Sequence, residues 1–263
     1  MRRGSGFLLQ AAALLVSAIL VHAVYVALVW PRSEAVLSAQ TARMQVDPNY
    51  VQERSLWVAL RDYEQEACFV LMLWAVAMIG ERALRLRRER AVFDRDLLPL
   101  ADGMRILPED VREYARQVQG LPEGPRDALL PRALLAALHR FGATRSIADA
   151  SASARGVCDG EADRLDSELS LLRYIAWAIP AIGFIGTVRG IGDALGQAHR
   201  AMQGDLSGVT QSLGTAFNST LIALLLSLLL MFFLHHLQSE QERLVSDAES
   251  YLDERLIQSL RAA

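Results

Sequence analysis

The residues of this sequence that could do chemistry are hydroxyl groups inside strongly apolar stretches. Thr187 lies in the segment PAIGFIGTVRG, residues 180–190, and Thr220 lies within residues 206–239, which contain no Asp, Glu, Lys or Arg. A hydroxyl group donates and accepts hydrogen bonds, so each threonine could contact water or a carboxyl group. A proton path through a membrane usually needs an ionisable group at depth. No apolar stretch of this chain has an acid at its centre, so either the chain conducts nothing or another chain supplies the carboxylate.

Other common chemistries find no support in the residue pattern. Cys68 and Cys158 are far apart, the five histidines form no His-x-x-x-His pair, and His235 and His236 would point to different sides of a helix. No phosphate-binding loop or nucleophile–base pair occurs, and Cys158 has no evident partner base. The net charge of −3 argues against nucleic acid as a partner. We therefore expect no enzyme, metal, cofactor or nucleic acid.

Apolar helices must hold the two threonines in position. Hydrophobic residues make up 52% of the 263 residues and the mean hydropathy is +0.20, which is too apolar for an ordinary soluble domain. Residues 7–30 contain no charge and would extend roughly 36 Å as a helix, so we interpret them as a retained first span rather than a signal peptide. Residues 174–188 and 213–237 are two further spans. The weaker stretch 67–80 fits a span or a buried helix.

Arginines decide the doubtful span and the orientation. Arg2 and Arg3 precede the first span, and the run ERALRLRRER follows residue 80. Because such arginines stay in the cytoplasm, both ends of residues 7–81 face inward and the stretch 67–80 must cross the membrane. The predicted segments are the N-terminus with the first transmembrane helix (1–30), a periplasmic loop (31–62), the second transmembrane helix (63–81), a cytoplasmic helical section (82–170), the third transmembrane helix (171–197), a periplasmic loop (198–210), the fourth transmembrane helix (211–237) and a cytoplasmic C-terminal helix (238–263). The predicted fold is an all-α polytopic membrane protein.

The predicted cytoplasmic parts are helical. PEDVREYARQVQG begins at Pro108 and ends at Gly120, and RDALLPRALLAALHRF is an apolar-faced stretch interrupted at Pro131. Residues 144–170 are predicted to run straight into the third span. Leu237, Leu244 and Tyr251 repeat every seven residues, with Ala248 between them. This repeat predicts either a helix packed against its neighbours or a solvated amphipathic tail.

Small residues follow one face of each of the last two spans. In both spans they recur every three or four positions. In the third span they are Ala176, Pro180, Gly183, Thr187, Gly190 and Ala194, with Gly186 beside them. In the fourth span they are Ala216, Thr220, Ala223 and Ser227. Small residues allow close helix contacts in lipid, and neighbouring helices can compensate for a proline. Packing alone explains such faces, so a non-conducting membrane scaffold or signalling protein remains an alternative.

The segments IPAIGFIGTVRGIGDAL and SLGTAFNSTLIALLLSLLLMFFLHH resemble the two core helices of the MotA/TolQ/ExbB proton-channel family. The Gly-Thr-Val-x-Gly-Ile element at 186–191 and the Ala-Phe-x-x-Thr-x-x-Ala-Leu element at 216–224 carry the resemblance, which covers about 174–237. Pro180 resembles a proline of the flagellar branch, although the proline that this branch carries near the cytoplasmic end of its last helix is missing. The position at which TolQ and ExbB relatives often have a glutamate is Thr215 here.

The resemblance implies a ring of this chain, commonly a pentamer, around a dimer of a single-span MotB/TolR/ExbD-like protein whose membrane aspartate carries the ion. It also implies pore-lining roles for residues of the last two spans, namely Thr187, Thr220, Thr215, Asn218, Ala216 and Ser227. Pro180, Gly183, Gly186 and Gly190 are expected to serve helix packing or a kink. Arg189 and Asp193 form a possible outer gate, although Arg189 could equally extend to the membrane interface or pair with Asp193.

We therefore expect an ion channel subunit of a motor complex in the bacterial inner membrane, with both termini in the cytoplasm. The ion is most simply a proton, although hydroxyl-rich pores can also serve sodium. The process that such a motor would drive is open.

Overall fold

The computed structural model describes residues 2–46, 55–95, 97–99, 104–122 and 124–261, with the backbone alone for residues 2–7 and 45. The predicted periplasmic loop 31–62 and the predicted cytoplasmic section 82–170 each include residues outside this described part. In the described part the fold is all-α, as predicted, with one isolated parallel bridge between Ile106 and Leu260.

The N-terminal helix is longer than the predicted first span. Helix α1 (Arg2–Val24) continues through a π-helical turn (Tyr25–Val29) into α2 (Trp30–Val46), and a short α3 (Leu56–Ala59) follows. The π-helical turn lies just before Pro31, which has no N–H to donate to the preceding turn. The missing hydrogen bond favours an irregular turn here. The described start of the predicted loop 31–62 is therefore helical, because hydropathy marks the length of an apolar stretch and not the end of a helix.

The remaining helices are α4 (Tyr63–Arg90), α5 (Val111–Gln119), α6 (Leu129–Thr144), α7 (Ile147–Gly196), α8 (Ala198–Met202) and α9 (Ser207–Tyr251), followed by a π-helical turn (Leu252–Leu256) and a 3-10 turn (Ile257–Ser259). The predicted continuation of residues 144–170 into the third span is present in α7. Pro131 does not interrupt α6, because it is the third residue of that helix, where the N–H groups have no partner within the helix. Pro108 lies in a turn before α5 and not inside it.

Four helical stretches of the described chain are long and apolar enough to cross a membrane: Leu8–Met44, Tyr63–Arg90, Ile147–Gly196 and Ser207–Ser259. The predicted number of four spans is thus confirmed by length and composition. The chain is a multi-pass membrane protein by this criterion.

The chain divides into two compact units, which we describe separately. The first comprises Met1–Ile79 and Leu171–Leu234. Its buried positions include small side chains such as Ala75, Ala216 and Ala223, whereas Trp177 and Phe232 are about two-thirds exposed. An outer surface of large apolar side chains is what helices in lipid require.

The second unit comprises Gly80–Ser170 and His235–Ala263. Its core is centred on α6, where Leu130, Leu134 and Phe141 are completely buried. Leu244 and Ala248 of the predicted seven-residue repeat are also buried. The C-terminal part of α9 therefore packs against neighbours and is not a solvated tail.

Candidate functional site: a hydroxyl pair at a glycine-lined helix crossing

Helices α7 and α9 cross at a face of α7 that has almost no side chains. A Cβ atom added at Gly186 would lie 2.6 Å from the Cβ of Ser219, and one at Gly190 would lie 2.7 Å from the Cβ of Ala216. A Cβ at Gly183 would collide with Ala223. We call this contact of Gly183, Gly186 and Gly190 with α9 the crossing. A side chain at any of these three glycines would force a neighbouring residue to shift.

A serine of α9 compensates for the proline inside α7. Pro180 has no N–H, so the carbonyl of Ala176, four residues earlier, lacks its usual helical donor. The hydroxyl of Ser227 donates to this carbonyl over 2.9 Å. A carbonyl without a partner is costly in lipid, so Ser227 has a clear structural task at the position for which we predicted a pore-lining role.

Thr187 and Thr220 meet within the crossing and form a hydrogen-bonded pair, which we call the hydroxyl pair. The oxygen of Thr187 also lies 3.1 Å from the carbonyl of Ala216, and the oxygen of Thr220 lies 3.1 Å from the carbonyl of Gly183. Both side chains are half-buried. Because a hydroxyl has one proton and two lone pairs, acceptor positions remain on both oxygens after one mutual bond and one bond to a carbonyl. The pair can therefore accept a hydrogen bond from a further group.

The other residues predicted to line a pore lie in different surroundings. Ala216 is completely buried against Gly190, so its side chain contacts α7. Thr215 and Asn218 are half-buried, and the carbonyl of Thr215 accepts a hydrogen bond from Ser219 over 3.1 Å. The structure thus brings Thr187, Thr220, Ala216 and Ser227 to contacts between α7 and α9 of the same chain, as sequence spacing suggested for a common face.

Arg189 pairs with Glu64 and not with Asp193, which was one of the alternatives open for it. Its Nε lies 2.7 Å from Oε1 of Glu64 and its Nη2 lies 2.8 Å from Oε2 of the same carboxylate. Asp62 adds a longer contact of 3.8 Å. A fork of two parallel contacts binds a carboxylate more strongly and with better defined geometry than a single contact. Asp193 is exposed.

The first turn of α4 contains further polar contacts that sequence reasoning missed. Nε2 of Gln65 lies 3.3 Å from the hydroxyl of Ser219, and Oε1 of Glu66 lies 2.7 Å from Nδ1 of His22. The acids at the start of the second span were the available signal, because charged residues at the edge of a span usually have partners. The partners of Gln65 and Glu66 lie 154 and 44 positions away in the chain, which no local pattern shows.

In the second unit, Glu161 is the acid at the centre of an ion-pair cluster. Its side chain is 3% exposed and lies 2.8 Å from Nη2 of Arg132, with Arg164 in closer contact. Burial raises the pKa of Glu161, but the hydrogen bonds and charges of the two arginines outweigh burial and hold it below the ordinary value. The cluster stabilises the unit only while Glu161 is ionised.

Cys158 is unsuited to nucleophilic chemistry. The side chain is completely buried, and burial, with smaller contributions from nearby acids, raises its pKa to about 11. A thiol with such a pKa is protonated at neutral pH and reacts slowly. Among the described residues, no cluster of three His, Cys, Asp or Glu side chains could hold a metal ion.

The helices of the crossing match a known protein family. Residues 126–250 match the model of the MotA/TolQ/ExbB proton channel family. This segment belongs to that family. The match begins just before α6 and includes the whole crossing, so the family predicted from the residues is confirmed for this range. A search of curated proteins and a search of solved structures each gave no match to the chain.

The MotA/TolQ/ExbB match supports a proton-channel-type role in a membrane. It comes from a transport family and not from a family of enzymes. The first two predicted spans and the first turn of α4 lie outside residues 126–250. Contacts such as that of Arg189 with Glu64 therefore join the matched segment to a part of the chain that the family model does not cover.

Proposed function

We propose that this chain is the ring-forming subunit of a proton-driven motor complex in the bacterial inner membrane. Several copies, most simply five, would surround a dimer of a single-span protein that carries a membrane aspartate. The observation that carries this proposal is the family match over residues 126–250, which encloses the hydroxyl pair. The chain would have both termini in the cytoplasm, because arginines precede the first span and follow the second.

The hydroxyl pair suits a partner carboxyl group that is alternately protonated and ionised. A protonated aspartate can donate to a free lone pair of Thr187 or Thr220, and an ionised one can accept from a hydroxyl after rotation of that hydroxyl. Protonation neutralises the aspartate and lowers the free energy cost of holding it in lipid, and the hydrogen bonds satisfy its polar atoms. A membrane potential of 100 mV supplies about 2.3 kcal/mol for each proton that crosses.

The composition of the complex is tested by native mass spectrometry of the tagged chain purified from its own cells. We expect an assembly of several copies, with five as the simplest number, together with two copies of one smaller single-span chain. A purified protein that stays monomeric and brings no second chain would contradict the proposal.

Ion flux is tested by reconstituting that complex into liposomes that contain a pH-sensitive dye. We expect Thr220→Ala and Thr187→Val to lower proton flux at least about tenfold, whereas Thr220→Ser, which keeps the hydroxyl, retains it. Thr210→Ala is the matched control, because Thr210 is an exposed threonine at the start of the same helix. A sodium gradient without a proton gradient identifies the ion. If the complex conducts neither ion, the alternative of a non-conducting scaffold is correct.

A further inference from the structure

The first turn of α4 contacts both helices of the crossing through polar side chains. Glu64 holds Arg189 of α7 with two contacts of 2.7 and 2.8 Å, and Gln65 lies 3.3 Å from Ser219 of α9. The two contacts arise from adjacent residues of one helix. This turn is therefore connected to α7 and to α9 at the same level of the crossing.

Gly186 is a glycine of α7 that side chains of both α9 and α4 approach. A Cβ added there would lie 2.6 Å from the Cβ of Ser219 and 3.3 Å from the Cγ of Glu64. One glycine thus allows α9 and the side chain of Glu64 to approach the same turn of α7. The approach leaves no room for interlocking side chains on this surface of α7.

The three glycines give close contact with α9, but they carry no polar side chain that could hold the helix by a directional bond. The ion pair of Arg189 with Glu64 adds such a bond beside the crossing. Arg189 follows Thr187 by two residues, which is roughly 200° around the helix. A carboxylate that holds Arg189 on one side therefore fixes where Thr187 points on the other side.

We propose that Glu64 and Arg189 are positioning residues, whose ion pair holds α7 in the rotation that keeps Thr187 against Thr220. The consequence for ion flux rests on the proposed function, whereas the geometry does not. The two contacts to one carboxylate define the orientation of the guanidinium and hence of the turn that bears it.

The geometry is tested by cross-linking in the full chain in lipid. In a background with Cys68→Ala and Cys158→Ala, the pair Thr187→Cys and Thr220→Cys should form a disulfide rapidly on mild oxidation, because their side chains touch. Adding Arg189→Gln or Glu64→Gln should slow this reaction about tenfold, since either change removes the charge-assisted pair.

Further variants separate positioning from general damage to the fold. The charge swap Glu64→Arg with Arg189→Glu should restore the cross-linking rate to within about threefold of the unswapped protein, with the nearby Asp62 limiting full recovery. Arg189→Lys, which keeps the charge but loses the fork, should give an intermediate rate. Arg200→Gln is the matched control, because Arg200 is an exposed arginine of α8, and it should leave the rate unchanged.

Flux measurements on the threonine-containing protein complete the test. We expect Arg189→Gln to lower flux about tenfold and the charge swap to restore it. Cross-linking rates that do not change in Arg189→Gln and Glu64→Gln would overturn the positioning role, whatever the flux. A wild-type complex without flux would instead overturn the proposed function and leave the cross-linking result intact. Slower cross-linking with unchanged flux would overturn the link between the ion pair and the ion path.

Discussion

Replacing Ser227 by alanine tests whether one serine compensates for the proline of α7. Pro180 cannot donate to the carbonyl of Ala176, and the hydroxyl of Ser227 donates to it over 2.9 Å. Ser227→Ala leaves this carbonyl without that donor. Pro180→Ala, in contrast, provides an N–H at the position from which a regular helix supplies it. The effect of removing the serine should therefore depend on the residue at position 180.

The magnitude follows from the single hydrogen bond that is lost. Hydrogen bonds between helices in a membrane contribute about 0.6 kcal/mol on average and up to about 1.7 kcal/mol. We expect Ser227→Ala to lower the free energy of unfolding by an amount in this range, since the freed carbonyl has no water to replace the hydroxyl. In the Pro180→Ala background the same change should cost close to nothing. The coupling energy of the two substitutions should thus equal most of the single effect.

The assay is reversible unfolding of the full chain in mixed micelles for the wild type, both single variants and the double variant. Ser246→Ala is the matched control, because Ser246 is an exposed serine of the same helix. Additive effects of the two substitutions, with no coupling beyond about 0.3 kcal/mol, would refute the compensation by Ser227. An equal effect of Ser246→Ala would show that the loss is not specific to this carbonyl.

Three further predictions concern the crossing and the second unit. Gly190→Val should prevent the approach of α9, because a Cβ there would already lie 2.7 Å from that of Ala216. Size-exclusion chromatography should then show loss of the native complex. Gly192→Val, at an open position, should leave the complex intact. Arginine partners hold the pKa of Glu161 below its ordinary value, so its contribution to stability is present above the pKa of the unfolded chain and is lost as pH falls through the lower folded value. Chemical unfolding should therefore show a smaller difference in the free energy of unfolding between pH 7 and pH 4 for Glu161→Gln than for the wild type. Equal differences would contradict this. Cys158 should resist iodoacetamide at pH 7.5 until the protein is unfolded, because it is buried with a pKa of about 11. Modification of Cys158 in the folded protein within minutes, measured by mass spectrometry, would contradict this.

The spans and the shared face of small residues follow from local rules. Apolar length predicts a helix that crosses a membrane, and spacing of three or four residues places Gly183, Thr187 and Gly190 on one side of it. Both rules depend only on helix geometry, which is the same in every protein. Helix ends were less predictable, since α2 continues to Val46 and α4 to Arg90, beyond the predicted ends of their spans.

The partners of the polar side chains could not be predicted, because each partner is distant in the chain. Asp193 is one helical turn from Arg189 and was the obvious local partner, yet Glu64 provides the better fork from 125 positions away. The donation of Ser227 to the carbonyl of Ala176 could not be predicted either, because the two residues are 51 positions apart.

The amino-acid sequence by itself determined four apolar helices, a side-chain-poor face on α7 and the position of two hydroxyl groups on facing helices, because these features depend on composition and on the period of a helix. Only the tertiary structure decided which carboxylate holds Arg189 and which hydroxyl serves the carbonyl freed by Pro180. The physical reason is that a hydrogen bond or an ion pair requires two groups at contact distance, and folding alone brings together groups that lie far apart in the chain.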